Sequence, residues 1–454
     1  MNDCGSHPNS YQTRRDFLNN FGWGAGGLSL AALLGIDPVT AEAVSPLAAK
    51  PSHFPVKAKA VIQLFASGAP SHVDTFDYKP ELQKRDGQKG DYGNLLASPF
   101  NFPQFGKSGL HISEVWSKLG QHADSMAIIN SMQTDIPDHG IAAKMMNTGS
   151  AQLPKPSLGS WLTYGLGTVN QNMPAFISLN GAPEWRQCAF LPGMFQGCNV
   201  QYRSTMKADE ILSNLRSEVS TLDRQRRQID FSNFMNRMHM EKLQRDIQLE
   251  SRIEAFETAF KMQTEATDAF DISKEPEKIK DLYGKGEEAN KMLVARRLVE
   301  RGVRFVQVSV GGYDHHSDIK NAMTNTAMRY DQAFAGLLTD LKQRGLLDST
   351  LVIWGGEFGR TVTAGGGVGA PGRDHNGKAF SVWMAGGNVK GGQRYGETDE
   401  TGGKSVKDIV NIHDLHATIL HLMGFDHTKL TYNYNGREFR LTDNFGNIIK
   451  DIIL

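Results

Sequence analysis

The chain has only three cysteines, no surplus of either charge and, past its N-terminal segment, no apolar run of membrane length. Each shortage excludes something. Lys plus Arg number 49 and Asp plus Glu number 49, so no basic excess speaks for nucleic acid and no acidic excess speaks for disorder. No later window approaches the about 18 apolar residues a membrane helix needs, so the mature chain is expected to carry no span. Cys4 lies in the N-terminal segment, and Cys188 and Cys198 lie ten apart in a loop-like stretch. That spacing gives no cysteine zinc cluster. It leaves two readings open, a disulfide in an oxidising compartment or two half-buried free thiols. No internal repeat is present.

The first 43 residues read as a cleavable export signal. Arg14 and Arg15 precede a glycine- and alanine-rich apolar run of about 16 residues, too short for a good span, and then Ala41-Glu42-Ala43. Paired arginines before such a run form a twin-arginine leader, which places the protein in the periplasm or outside the cell. A linker is expected over 44–56 and one large domain over 57–454. The 454 residues suffice for a sizeable core.

Within that domain, apolar runs over 59–65, 126–130, 303–310, 350–354 and 380–384 read as buried strands. Asp138 caps a helix over 140–147 that stops at Gly149, and amphipathic helices are expected over 291–301, 322–342 and 414–423. Residues 208–267 are highly charged, without Pro or Gly, and carry Leu249, Ile253, Phe256 and Phe260 on one helical face. They read as a helical insertion capping the core. The C-terminal tail is expected to form a small β-hairpin turning near 444–447. Strand 303–310, its helix and strand 350–354 make a βαβ unit, whose strands are parallel. The loops after both strands therefore open at one sheet edge, where α/β folds bind ligands.

The chemistry-bearing residues fall in those loops. Asp314, His315 and His316 follow one strand, Glu357 and Arg360 follow the next, and Arg373, Asp374 and His375 precede the strand after that. Any one of these loops taken alone is more often a solvated turn; their common edge makes them a candidate site. Carboxylates and imidazoles together suit a divalent metal, zinc or manganese, of unspecified number. The expected ligands are Asp314, His316, Glu357, Asp374 and His375, with Asp74 from the loop after the first strand. Arg360 and Arg373 are expected to steady an anion, and His139, at a helix start, to act as base or nucleophile.

Taken together, SHVDTFDYKP, GGYDHHSD, LVIWGGEFGRT, GRDHNGKAFSVWMAGG, DLHATILHLMG and LTYNYNGREFRLTD resemble the domain of unknown function 1501 family along nearly the whole chain. That family looks like a branch of the alkaline phosphatase, sulfatase and phosphoglycerate mutase superfamily. The resemblance implies an α/β fold with a mostly parallel central sheet flanked by helices. It also implies metal-binding roles for Asp314, His316 and His375. There are departures. Glu357-Phe358 stands where an Asp-His pair is usual, and Ser67 where an aspartate ends the first strand. The sulfatase nucleophile position, ten residues before Gly149, is His139, and no Cys-x-Pro-x-Arg sequence exists to mature into formylglycine.

The expected function is metal-dependent hydrolysis of phosphate- or sulfate-type esters outside the cytoplasm, on an anionic small molecule or glycan. The rival readings are a non-catalytic binder of anionic glycans, and an assembly partner acting through the helical insertion. The sequence leaves the oligomeric state open.

Overall fold

The computed structural model describes residues 47–170, 172–206, 211, 221–243, 253, 257–258, 261, 268–365 and 369–454. The expected twin-arginine leader, 1–43, lies outside the described residues, as does most of 208–267, including Leu249, Phe256 and Phe260. Among the described residues no helix is long and apolar enough to cross a membrane.

Ala60–Phe65 (β1) reads AVIQLF and is buried along its whole length. A strand without polar alternation needs cover on both faces. It lies central in a sheet with Met126–Gln133 (β2), Phe176–Leu179 (β3), Cys198–Val200 (β4), Phe305–Ser309 (β5), Thr350–Gly355 (β6), Phe380–Ala385 (β7), Gln393–Tyr395 (β8) and Val410–Asn411 (β9). The order is β8-β2-β7-β6-β1-β5-β3-β4, with β9 also paired to β2. Only β7 is reversed, antiparallel to both β6 and β2; the other pairings are parallel. The α/β class with a mostly parallel sheet is thus as expected.

Helices cover both faces. Glu287–Glu300 (α4) and Ile319–Gln343 (α5) pack with Ile62 and Leu64 on one side. His139–Thr148 (α1), Leu158–Leu166 (α2) and Ile412–Leu422 (α6) pack with Val61 and Phe65 on the other. In α1 the predicted ends hold: Asp138 accepts from the Ile141 amide at 3.0 Å, and Gly149 closes the helix with φ 65°. Of the expected insertion, Leu222–Leu243 (α3) is helical, and its Arg226 pairs with Glu257 at 2.9 Å.

Two expectations need correcting. The C-terminal hairpin pairs Tyr432–Tyr434 with Arg437–Phe439, turning at Asn435-Gly436 (φ 51° and 80°) rather than near 444–447. Asn-Gly is the pair that a two-residue hairpin turn with two positive φ angles demands. Helix α6 starts two residues earlier than predicted, because Asn411 caps it and Asp414 closes a capping box. Cys188 and Cys198 are both free.

The register sets up the site. Phe65 at the end of β1 lies opposite both Ser309 and Gly355, so β1, β5 and β6 finish level. β2 runs in the same sense and also ends there. Reversed β7 begins there, so the segment leading into it joins the same edge. Five segments meet where the βαβ reading placed two.

Away from that edge, fully buried Arg296 of α4 forms ion pairs with Asp340 of α5 at 2.8 Å, Glu275 at 2.9 Å and Glu300 at 2.7 Å. Removing one partner of a buried ion cluster strands the others. Arg296→Met should therefore lower stability by about 3–5 kcal/mol in urea denaturation.

His416 of α6 is fully buried and its Nε2 meets Met146 O at 2.8 Å, tying α6 to α1. Burial pushes this imidazole from 6.5 down to about 3. Between those values the unfolded chain binds a proton that the folded one refuses, so this contribution is full above pH 6.5 and falls as the pH drops. His416→Gln, which can still donate to Met146 O, should flatten the acid limb of a stability–pH profile.

Candidate metal centre

β1 ends in Ser67-Gly68-Ala69. Gly68 has φ 100°, and a Cβ there would stand 2.7 Å from the Asp314 amide, so only glycine lets these two loops touch. Ala69, fully buried, holds φ 58°, a conformation an alanine keeps only when its surroundings enforce it. The enforcing group is Arg360. Its Nη2 donates to Gly68 O at 2.6 Å, its Nε to Ala69 O at 2.9 Å and its Nη1 to Arg373 O at 3.2 Å. Wholly buried and so fixed, the guanidinium also donates through Nη2 to Asp314 Oδ1 at 2.5 Å.

Asp314 Oδ1 is the meeting point. His316 Nε2 lies 2.9 Å from it, His139 Nε2 3.3 Å and His375 Nε2 3.6 Å. His316 Nε2 and His375 Nε2 face each other at 3.1 Å. One ligand atom each from His139, Asp314 and His375 fall within 4.8 Å of one another.

The far side of each ring explains the near side. His375 Nδ1 is 2.8 Å from Pro137 O, a carbonyl that can only accept, so that nitrogen carries the proton. His139 Nδ1 lies 2.6 Å from Glu357 Oε1, and His316 Nδ1 2.9 Å from Asp374 Oδ1. With Nδ1 held by an oxygen behind it, each ring turns its Nε2 toward the same carboxylate oxygen. Phe358 packs against His139 and His375, with ring centroids at 4.9 and 4.8 Å, and fixes their planes.

Three ring nitrogens and a carboxylate oxygen facing inward suit a cation, and Arg360 supplies positive charge there. Burial pushes the Asp314 carboxyl up, but the Arg360 hydrogen bond and charge, with His139 and His316, outweigh it and hold it down at about 2. The Glu357 hydrogen bond raises His139 against its burial, whereas burial lowers His375. Glu357 is nearly fully buried, and its Oε2 has no hydrogen-bond partner. Three imidazole nitrogens and a carboxylate, each ring backed by an oxygen acceptor, are a donor set that fits a divalent ion of zinc or manganese type.

The expected residues take different places. Asp74 and Arg373 do not serve the cluster directly: both are wholly buried and hold each other through two bonds of 2.6 and 3.1 Å. Ser71 Oγ adds a bond to Asp74 at 2.5 Å, and Arg373 also donates to Thr361 O and Leu96 O. Asp74 is thus occupied rather than open to a metal, and Arg373 has no arm left to clamp an anion. The pair instead ties the loop after β1 to the segment carrying His375. Arg360 likewise points inward. Glu357 and Asp374 stand behind His139 and His316. His139, expected as base or nucleophile, is placed as a ligand donor. His315 is buried against Thr326 at 3.1 Å, away from the cluster.

Sequence reasoning missed the Pro137 carbonyl and the carbonyls of Gly68 and Ala69, because any residue type offers a carbonyl. It also missed Trp185. A cleft of about 640 Å³ opens beside His139, Asp314 and Glu357, walled by Ser67, Ala143 and Trp185. Another cavity, about 650 Å³, lies at the start of α6 near His413, His427 and Arg440 and holds none of the cluster residues.

The tautomers are directly measurable. Nitrogen-15 correlation spectra at pH 8 of metal-free protein should show His375 as the Nδ1–H tautomer, with Nε2 unprotonated. An Nε2–H signal for His375 would overturn the arrangement.

A family model described as "Protein of unknown function (DUF1501)" matches residues 58–453. No curated protein sequence matches the chain. Among solved structures, the PsFucS1 sulfatase from Pseudoalteromonas sp. is similar at 13% identity, over 81% of this chain and 68% of its own, with TM-score 0.34. The lipoteichoic acid synthase LtaP from Listeria monocytogenes is similar at 8% identity, over 91% and 80%, with TM-score 0.35. A TAB5 alkaline phosphatase mutant with bound magnesium is similar at 11% identity, over 73% and 92%, with TM-score 0.31. Overlaps this loose say nothing of the chemistry.

Proposed function

The chain belongs to the DUF1501 family, and from the imidazoles gathered on Asp314 we propose that it is a metal-dependent hydrolase of phosphate- or sulfate-type esters. The twin-arginine leader read in residues 1–43 supports action in the periplasm or outside the cell. One observation carries the reading: three ring nitrogens, each on a ring backed by an oxygen, converge on a single carboxylate oxygen.

His139, Asp314 and His375 would hold the ion, with His316 beside them. Bound there, a divalent ion supplies Lewis acidity to an ester oxygen and acidifies water. The protein's own groups do the rest. Glu357 Oε1 fixes His139, while Oε2, buried and unpaired, is the acceptor available for a proton from the attacking water. Arg360 keeps Asp314 ionised and oriented.

Arg360 also supports a second reading. Its Nη2 bonds Asp314 and its Nη1 lies 3.3 Å from His316 Nε2, so a guanidinium already meets part of the cluster's demand for charge. On that reading the protein binds anionic glycans without turnover.

Metal titration separates the two. After chelation, calorimetry with zinc and manganese should show binding that His375→Ala or Asp314→Asn weakens by more than the about 10–100-fold expected for an outer-sphere change such as Glu357→Gln. A panel of aryl phosphate and sulfate esters should be turned over only by loaded protein, with kcat for Glu357→Gln down about 100-fold. Protein that takes up neither ion supports the guanidinium reading and removes the hydrolase.

A further inference from the structure

The cleft beside the cluster has a composition that bears on what enters it. Its carboxylates are Asp314 and Glu357 on the metal side and exposed Glu184 on the outer side. No lysine or arginine lines it among the described residues. Arg329 reaches the outside of the Gly311-Gly312 turn, but it donates to Gly311 O at 3.2 Å and lies 5.1 Å from the Tyr330 ring. Arg360 and Arg373 are turned into the protein. Among the described residues lining the cleft, a substrate's negative charge therefore finds compensation only at the metal end.

The outer end is built differently. Half-buried Trp185 forms a wall, seated on Phe65 with ring centroids 4.5 Å apart. Small residues, Gly140, Ala143 and Ala182, leave room beside it. Glu184 adjoins this indole in sequence and lines the same cleft. An aromatic face stacks on the C–H face of a saturated ring. An exposed carboxylate accepts from hydroxyls and attracts an amine. The volume, about 640 Å³, accommodates a group of that size.

We propose that the cleft between Trp185 and Glu184 binds a neutral or amine-bearing pyranose as the non-reacting part of the substrate, and selects against a second negative charge on it. This deepens the hydrolase reading by naming the leaving group: one anionic ester on an otherwise uncharged or cationic sugar, rather than a polyanionic glycan. It rests on that reading only for the direction in which the ligand lies.

The test measures binding without turnover, so it is independent of the hydrolase assay. Full-length protein is titrated by calorimetry and tryptophan fluorescence with methyl glucoside, methyl glucosaminide and methyl glucuronide at low salt. The amine should bind about tenfold more tightly than the acid, with the neutral ring between. Glu184→Gln, at an exposed site that leaves folding alone, should shrink that gap about threefold. Trp185→Ala should weaken all three probes about tenfold, and Trp185→Phe, which keeps the packing on Phe65, less. The proposal is overturned if the glucuronide binds as well as the glucosaminide, if no probe binds, or if the Glu184 and Trp185 variants match wild type. Intact binding with no ester turnover sinks the hydrolase and leaves the cleft assignment standing.

Discussion

Everything at the sheet edge is arranged around one oxygen, Asp314 Oδ1. Three imidazole nitrogens and a guanidinium face it within 3.6 Å, each delivered by a different piece of chain. Lone pairs repel at such distances unless positive charge sits among them. The surrounding structure serves to keep them together regardless. Asp374, Glu357 and Pro137 hold the rings from behind, and two backbone carbonyls hold Arg360 from below. Such a constellation has little freedom to relax, which is the preorganisation a cation site needs.

Much of this was legible in residue order. β1, β5 and β6 are mostly apolar runs between turn residues, and the parallel sense of the βαβ unit follows from chain sterics. That was enough to expect Asp314, His316, Glu357 and His375 at one edge. The reversed pairing of β7, which follows His375, has no local signature: its sequence, FSVWMA, is as apolar as its parallel neighbours. The connection from β6, residues 356–379, stays at the same edge and so brings β7 back in the opposite direction.

Roles were less legible than positions, for an electrostatic reason. A sequence shows how many carboxylates and guanidinium groups share a region, but not how they pair. Asp74 lost its expected place because Arg373 presents a matching fork at 2.6 Å in a dry setting, where such a pair resists disruption. Once that pair forms, Arg373 cannot meet an anion, and once Arg360 engages Ala69 O, neither can Arg360. The two arginines that suggested anion recognition turn out to be bracing. Fixed carbonyls and the strained Ala69 backbone exist only in the folded chain and leave no trace in composition.

The reversal of β7 confines the whole connection from β6 to one end of the sheet. That excursion leaves at Gly355, returns at Phe380, and carries Glu357, Arg360, Arg373, Asp374 and His375 in two short anchored stretches. The anchors are paired across from each other, Gly359 with Asn376 and Arg360 with His375, like the neck of a bag. The chain is pinned again where Gly365 N donates to Gly372 O, and a change of length inside that second pin costs little, because each doubling of a loop adds only about 0.6 kcal/mol to its closure. Relatives built on this plan can therefore vary that stretch while the atoms that would grip an ion stay where they are.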